Sequence, residues 1–407
     1  MHVVLLGTRP EVVDELHELG HTVSVLYQDF NRPYVEANAE RFAHRGFISA
    51  FNAPETAWSV LLHLGIADEV DVVIPCHELA VVTASILNGI LGRPGKIDLQ
   101  TAMAGRDKAV QKSLWGKHGV PTARHMTFTN EPGSVDEVRE ALAGLRAPFV
   151  VKPPSLGGSR LVQACPTVAD VFEALHDSRE LRHAVVEEKQ EGDEWHFDGS
   201  VIDGRVDHLL VSRYLAPLIE TKHGSTLRSV AYPVARFPDV YAEAGEFAQA
   251  AVEALGGRWG VFHLEVFGKP GDFTAGELAW RPAGVLAPMS AERTIGVNPW
   301  RAHVRLLIGA EPLAPTTVAG ADRAVGFVCL PIRPGAISGV TEADIAALPG
   351  VCHVQMTVQP GQRMKEMLAS TMGVAMVLVE GADIDHCARL IDDAVDLTNA
   401  LHDLKSH

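Results

Sequence analysis

The segment HLEVFGKPGDFTAGELAWRPAG carries two glutamates, Glu265 and Glu277, on either side of a turn sequence. A β-hairpin centred on Gly271 pairs Phe267 with Ala275 and then Glu265 with Glu277. Like charges that face each other across two strands are destabilising, so the pair indicates a bound cation, and carboxylate oxygens beside phosphates suit Mg²⁺. The alternative interpretation is an exposed acidic pair on an edge hairpin.

Arg281 lies four residues beyond the second glutamate. Its planar guanidinium keeps its charge at neutral pH, so it suits phosphoryl oxygens and a developing tetrahedral oxyanion. We predict that Arg281 is catalytic. The backbone N–H groups of Ala283 and Gly284, in RPAGVLAP, can approach an acyl group, although a structural turn explains this glycine equally well.

The segment VVKPPSLGGSR joins an apolar run that ends at Lys152 to a turn containing Ser155, Gly157, Gly158 and Ser159. Glycines allow backbone N–H groups to approach phosphate oxygens, and the lysine adds a fixed positive charge. The pattern is typical of a phosphate-binding loop. An ordinary hairpin turn with a solvated lysine is the alternative.

The elements that must position these residues begin with an open parallel sheet over the first ~100 residues. His2 to Leu6 and Thr22 to Tyr27 are apolar runs of strand length around a helical pattern, and Val70 to Pro75 followed by a helix from Leu79 to Leu91 repeats it. Such sheets bind ligands at the carboxyl ends of their strands. Glu78, just beyond the third run, is therefore placed to hold an amino group.

The middle of the chain predicts a helix and then two strand-rich regions. Ala102 to Val120 predicts one polar, lysine-rich helix, which contains Lys108. Short strands and one helix around the glycine loop predict a small α+β lid, with strands at 147–152, 161–165 and 184–188 and a helix at 168–175. More strands run from 197 to about 284, and an α/β segment follows from about 310 to 407.

Four features occur in a fixed order: Lys108, the glycine loop, the acidic segment VVEEKQEGDE, and the glutamate pair with Arg281. This ordered set resembles the ATP-grasp superfamily of ADP-forming ligases. It is most like the L-amino-acid ligases, which make dipeptides and related amides. The resemblance covers nearly the whole chain and implies ATP and Mg²⁺ as cofactors, with Mn²⁺ as a substitute ion.

The resemblance also implies roles for individual residues. Lys108 and Lys152 reach the ATP phosphates, the glycine loop covers them, and Glu265 and Glu277 bind the metal. Residues of the acidic segment bind the nucleoside, with Glu187, Glu188 and Gln190 along the adenine and Glu194 on the ribose hydroxyls. The alternative for the acidic segment is a solvated acidic turn, and the alternative for Lys108 is a solvated lysine on a helix.

One position departs from the family pattern. The second metal glutamate is usually followed two residues later by asparagine, a further metal ligand, and here Ala279 stands in that place. The hairpin sets His263 opposite Ala279, so we hypothesise that His263 partly fills the vacant place.

The resemblance implies an α/β ATP-grasp fold with three regions. Residues 1–102 form an open α/β N-terminal domain. Residues 103–310 form the ATP-grasp domain, with a lid at about 121–187 and a central antiparallel sheet. Residues 311–407 form a small C-terminal α/β domain.

The residues that read the substrates are less evident from sequence. His223 and Arg228, in the polar stretch ETKHGSTLR, can bind a carboxylate or define a second pocket. Hydrated loop residues are the alternative for these two and for Glu78. We also expect Gly284 to lie at the substrate.

Composition limits the partners. At 407 residues the chain is long enough for two or three domains, and 47% hydrophobic with 21% charged residues indicates a globular protein. A net charge of −16 disfavours nucleic acid and anionic lipid as partners.

The cysteines and the hydropathy pattern favour a cytoplasmic location. The five cysteines are scattered without a CxxC pair, and no apolar run approaches the ~20 residues that span a membrane. Homodimerisation is common among such ligases, but the sequence itself shows no interface.

We predict an ATP-dependent ligase that activates a carboxylate, of an amino acid or a related small acid, as an acyl phosphate and couples it to an amine. Two alternatives stay open. A bicarbonate-activating carboxylase needs the same ATP residues, and an ATP-binding module without catalysis needs only some of them.

Overall fold

The computed structural model describes residues 1–93, 95–223, 225–316, 322–366 and 369–404, without the side chains of 222–223 and 403–404. Within this part of the chain the strands form three sheets, of four, eight and four strands.

The N-terminal sheet is parallel, as the sequence predicts. Its strands are β1 His2–Leu6, β2 Thr22–Tyr27, β3 Arg45–Phe47 and β4 Val72–Pro75, in the order β3-β2-β1-β4. The helices α1 Pro10–Glu18, α2 Arg32–Ala37, α3 Pro54–His63 and α4 Val81–Ile90 lie between and after them. Residues of β1 and β4 are almost wholly buried because helices cover the sheet. A 3₁₀ turn, Glu78–Ala80, follows the carboxyl end of β4.

The prediction of one helix from Ala102 to Val120 was wrong, because the structure has two helices, α5 Leu99–Ala104 and α6 Lys108–Lys117. The chain turns at Gly105, where an added Cβ atom would lie only 2.1 Å from Cδ1 of Trp280. Asp107 then caps α6 by accepting hydrogen bonds from the N–H groups of Ala109 and Val110 at 2.9 and 3.1 Å. Lys108 therefore begins a helix rather than lying within one.

A small antiparallel sheet follows, in the order β5-β8-β6-β7. Its strands are β5 His125–Phe128, β6 Phe149–Lys152, β7 Gln163–Cys165 and β8 Ala184–Glu188, with α7 Val135–Ala141 and α8 Val168–Asp177 packed on one face. The predicted strands and helix of the lid are confirmed to within a few residues.

The largest sheet has the order β13-β12-β9-β10-β11-β14-β16-β15. Its strands are β9 Asp193–Ile202, β10 Arg205–Tyr214, β11 Arg228–Ala231, β12 Gly260–Lys269, β13 Asp272–Ala279, β14 Ala324–Cys329, β15 Val351–Met356 and β16 Ala375–Gly381. The remaining helices are α9 Pro238–Ala254, α10 Ala287–Ile295, α11 Pro299–Ile308, α12 Glu342–Ala346 and α13 Ile384–Leu404. Strands from the C-terminal segment thus continue the central sheet, and the domain boundary at 310 stays a prediction.

The β12–β13 hairpin places Glu265 opposite Glu277 and His263 opposite Ala279, as predicted. The predicted pairing of Phe267 with Ala275 was wrong, since Phe267 pairs with Thr274. The turn spans two residues, and a β-bulge next to Glu265 then shifts the register by one. Glycine occupies the extra position, Gly276, where a Cβ atom would lie 2.9 Å from the Phe267 ring.

Candidate active site

A cavity of about 230 Å³ lies between the small sheet, the glycine loop and one face of the large sheet. Twelve of the residues predicted from sequence line it: Lys108, Lys152, Gly157, Gly158, Ser159, Glu187, Gln190, Glu194, Glu265, Glu277, Arg281 and Gly284. Residues more than 170 positions apart are therefore assembled at one site, because the lid strands and the β12–β13 hairpin face the same space.

The acid pair is tied to the glycine loop through Lys108. The Nζ atom of Lys108 lies 2.9 Å from Oε1 of Glu277 and donates a second hydrogen bond to the carbonyl of Leu156 at 2.7 Å. The backbone N–H of Lys108 also donates to the carbonyl of Pro154 at 3.0 Å. One lysine thus fixes the loop and a carboxylate of the pair together.

A buried histidine–aspartate network borders the acid pair. Nδ1 of His263 lies 2.8 Å from Oδ1 of Asp198, and Nε2 of the same ring lies 3.8 Å from Oε1 of Glu265. Asp198 also bonds His196 at 2.5 Å, and His196 bonds Ser229 at 2.7 Å. Burial lowers the pKa of His263, but Asp198 and Glu265 together raise it to about 10.

These contacts bear on the hypothesis for His263. The imidazole is protonated at neutral pH and has both nitrogens directed at carboxylates, so in this structure His263 holds Glu265 rather than offering a free ligand atom. Burial opposes ionisation of Glu265, but the neighbouring His263 imidazole lowers its pKa below the ordinary value. Its filling of the place left by Ala279 stays a hypothesis.

Lys152 pairs with Glu187, which we predicted to lie along the adenine, and has a lysine neighbour that the sequence did not predict. Its Nζ atom lies 2.6 Å from Oε1 of Glu187, and Nζ of Lys112 lies 2.6 Å from the other oxygen of that carboxylate. Burial lowers the pKa of Lys112 to about 8. Lys112 lies one helical turn after Lys108, so the two side chains lie on the same face of the helix. This spacing in the sequence could have identified Lys112 as a residue of the site.

Glu187 and Glu188 point to opposite sides of β8, because side chains alternate along a strand. Glu187 lines the cavity, whereas Glu188 accepts a hydrogen bond from the backbone N–H of Arg146 at 2.9 Å and lies 3.5 Å from the Arg124 guanidinium. Placing Glu188 along the adenine was therefore wrong. Gln190 lines the cavity, and its side chain donates to the Glu188 carbonyl at 2.9 Å.

Glu194 lies in the cavity wall close to Glu265. Its Oε2 atom accepts a hydrogen bond from the backbone N–H of Leu218 at 2.8 Å. Burial and the nearby Glu265 carboxylate raise the pKa of Glu194 to about 8. The raised pKa favours the protonated carboxyl group, which can both donate and accept hydrogen bonds.

Glu78 does not offer a free carboxylate to an amino group, so that expectation needs correction. One of its oxygens accepts a hydrogen bond from Arg106 and the other accepts one from Arg281. Burial opposes ionisation, but the two guanidiniums lower the pKa of Glu78 to about 2. Arg106 was not predicted as a residue of the site, although this arginine precedes Lys108 by only two residues.

Three other predicted residues lie off the cavity wall or outside the described part. Arg228 is paired with Asp392 of α13 at 2.6 Å, so its expected role at a substrate carboxylate was wrong. The side chain of Ser155 does not line the cavity, and its carbonyl accepts a hydrogen bond from Arg106. The side chain of His223 lies outside the described residues.

Comparison with known protein families defines the class. Residues 113–285 match the ATP-grasp domain, and residues 328–399 match the L-amino acid ligase C-terminal domain 2. The chain therefore contains an ATP-grasp domain, which is followed by a domain similar to the C-terminal domain 2 of L-amino acid ligases.

Individual relatives agree with this assignment. The L-arginine-specific L-amino acid ligase of Bacillus subtilis is 24% identical over 346 residues, which are 82% of this chain and 81% of that protein. A phosphoribosylamine–glycine ligase of Xylella fastidiosa is 33% identical over 104 residues, which are 24% of this chain and 23% of that one.

Solved structures confirm the ATP-grasp fold. An L-amino acid ligase from Bacillus licheniformis superposes with a TM-score of 0.75 at 19% identity and covers 97% of each chain. A carboxyaminoimidazole ribonucleotide synthase from Aspergillus clavatus gives 0.72 at 17% identity over 98% of each chain. These structures show the ATP-grasp fold over nearly the whole chain. In the described part of the chain, no helix is long and apolar enough to cross a membrane.

Proposed function

We propose that this chain is an ADP-forming ligase that joins a carboxylate, most simply that of an amino acid, to an amine. The observation that carries the proposal is the arrangement of Glu265 and Glu277, which face each other on the wall of one cavity that Lys108, Lys152 and Arg281 also line. The likeness to an L-amino acid ligase over 82% of the chain supports the same reaction.

The carboxylate pair fits a hard divalent cation. Two opposed glutamates on neighbouring strands supply only oxygen donors, which is the ligand set that Mg²⁺ prefers, with Mn²⁺ as a substitute. Glu277 pairs with Lys108 through one oxygen, and Glu265 lies near His263 through one oxygen. Among the described residues no other cation lies within 4 Å of either carboxylate, so the other oxygen of each can bind a metal. A metal bound there would supply charge neutralisation at the ATP phosphates.

The first step is attack of the substrate carboxylate on the γ-phosphorus of ATP. The carboxylate oxygen forms a bond to phosphorus, the bond to the β-bridging oxygen breaks, and an acyl phosphate and ADP result. Lys152 and Lys108 place positive charge at the phosphates, and the backbone of Gly157 and Gly158 lies at the same end of the cavity. Gln190 and Glu194 bind the nucleoside in this proposal.

The second step is attack of an unprotonated amine on the acyl carbon. Phosphate leaves, the amine nitrogen loses a proton and an amide forms. Arg281 stabilises the oxyanion of the tetrahedral intermediate, and Glu78 holds its guanidinium in place. The glycine loop keeps water away, since its Gly158 carbonyl accepts a hydrogen bond from the Ser370 N–H at 3.2 Å and thereby closes one side of the cavity.

A bicarbonate-activating carboxylase is the second candidate. The TM-score of 0.72 with a carboxyaminoimidazole ribonucleotide synthase favours it, since the ATP residues would serve either reaction. In both cases the partners are small molecules.

The test is metal-dependent release of ADP and phosphate from ATP, with pooled amino acids and small carboxylates, with and without bicarbonate. Glu277→Ala serves as the blank because it removes one metal ligand. Release that needs an amino acid, disappears in the variant and accompanies a new amide mass supports the ligase. Release driven by bicarbonate alone would instead support the carboxylase, and ATP binding without turnover would contradict both.

A further inference from the structure

One end of the cavity is apolar. Seven of the residues that line it also belong to one buried hydrophobic cluster, which we call the apolar chamber: Tyr214, Leu218, Leu227, Ala283, Val285, Ala287 and Phe327. They come from β10 and the turn after it, the approach to β11, β14, the segment that follows β13 and the first residue of α10. Tyr214, Leu227 and Phe327 are 8%, 5% and 3% exposed, so a group that enters the chamber loses its contact with water.

The chamber adjoins the reacting centre. Tyr214 and Phe327 both pair with Ser229 of β11, so the two rings stand in one row on the cavity face of the sheet. The ring of His196 lies 4.7 Å from that of Tyr214, and His196 pairs with Glu265 across two strands. Ala283 follows Arg281 by two residues. The chamber therefore begins beside the acid pair and the catalytic arginine.

The segment beside the chamber has a strained residue. Val285 adopts φ 57, the left-handed region that β-branched residues rarely occupy. Observed strain of this kind concentrates where a binding site fixes the backbone. The conformation is consistent with a wall whose shape serves a ligand.

Every carboxylate on the described cavity wall already has a partner. Glu187 has two lysines, Glu277 has Lys108 and Glu265 has His263, and Glu194 accepts a hydrogen bond from the Leu218 N–H. None of them belongs to the chamber. A charged side chain of either sign would be desolvated in the chamber without a counter-charge among the residues that form it.

We infer that one of the two amino acids joined by this chain carries an aliphatic or aromatic side chain, and that the apolar chamber binds it. This inference rests on the ligase activity proposed above. It separates this chain from the Bacillus subtilis relative, whose name specifies L-arginine.

The first experiment compares kcat/KM for ADP release by the wild-type enzyme with single L-amino acids, each offered alone and with L-alanine. Leucine, methionine or phenylalanine is expected to exceed lysine, arginine and glutamate by at least about tenfold, because a hydrophobic pocket discriminates by about that factor for even one methylene. A preference for a charged side chain would overturn the inference and leave the ligase standing. No amino-acid-dependent release would overturn the ligase itself.

The second experiment locates the side chain with two matched variants. Leu227 and Leu286 belong to the same cluster and are 5% and 2% exposed, but only Leu227 lines the cavity. Leu227→Ala enlarges the chamber, so the ratio of kcat/KM for phenylalanine to that for alanine should rise at least about tenfold. Leu286→Ala should lower the melting temperature comparably and leave the ratio unchanged. An unchanged ratio in Leu227→Ala, or an equal rise in both variants, would overturn the inference.

Discussion

Glu78 accepts a hydrogen bond from Arg281, which lies 203 positions further along the chain. Glu78 stands just beyond the carboxyl end of β4 in the N-terminal sheet, whereas Arg281 follows β13 in the large sheet. The same carboxylate accepts a hydrogen bond from Arg106, so it separates two like charges. The N-terminal sheet therefore fixes the guanidinium to which the proposed function assigns the oxyanion.

Glu78→Gln should lower kcat by about 100-fold, because a neutral amide cannot hold two guanidiniums and a displacement of about 1 Å at a catalytic group has an effect of that size. The KM for ATP should change little, since Glu78 does not line the cavity. Steady-state ADP release with a saturating amino acid measures both constants.

Glu15 offers a matched control for this variant. It is 1% exposed and pairs with two arginines, Arg301 at 3.0 Å and Arg305, away from the cavity. Glu15→Gln should lower the melting temperature but leave kcat unchanged. An equal loss of kcat in the two variants would mean that Glu78 acts only through stability.

The two adjacent glutamates of β8 should respond differently to substitution. Glu187→Gln removes the charge between Lys112 and Lys152, so the lysines repel each other and the affinity for ATP should fall at least about tenfold. Glu188→Gln loses contacts only with Arg124 and Arg146, outside the cavity, and should keep its ATP affinity within about twofold. Calorimetric titration of each variant with ATP and Mg²⁺ measures this, and equal losses would contradict the assignment.

The sequence predicted the pairing of Glu265 with Glu277 because the two strands of the hairpin are adjacent in sequence. The predicted position of the turn and the unpredicted bulge are two errors of one residue each, and they cancel at this pair. The turn spans Pro270 and Gly271 rather than centring on Gly271, which alone would shift the pairing by one residue. The bulge at Gly276 shifts it back before Glu265. Local turn chemistry thus predicted the contact, whereas the bulge depends on the packing of the Phe267 ring beside Gly276.

Contacts between distant strands could not be predicted in this way. Asp198 meets His263 only because β9 lies next to β12, which the order of strands along the chain does not reveal. The partners of Glu78 have the same origin, since its two arginines belong to other parts of the fold. The misplacement of Glu188 was avoidable, because alternation along β8 allows only one of two adjacent glutamates to face the cavity.

Asp198→Asn should lower the melting temperature most at acidic to neutral pH. In the folded wild type, Asp198 and Glu265 raise the pKa of His263 to about 10 from its ordinary value of 6.5. Its stabilising contribution is fully present below 6.5 and is lost as the pH rises toward 10. The free energy of unfolding should therefore be lower in Asp198→Asn than in the wild type at pH 6, by on the order of 3–5 kcal/mol, the usual cost of breaking a buried ion pair. This difference should narrow by pH 10. Thermal unfolding at several pH values measures it, and a constant difference would contradict the ion pair.

Glu194→Gln should stabilise the ligand-free protein, and increasingly so at higher pH. The folded-state pKa of Glu194 is raised to about 8 from 4.5, so between these values the folded state binds more protons than the unfolded state and loses stability as the pH rises. A glutamine removes this dependence. The gain in melting temperature should be small at pH 5 and larger at pH 8.5, while the exposed Glu246→Gln control should show neither effect. If the Glu194 carboxyl group accepts hydrogen bonds from the ribose hydroxyls, the affinity for ATP should fall in Glu194→Gln and not in the control. A gain in stability that does not vary with pH would contradict the raised pKa of Glu194.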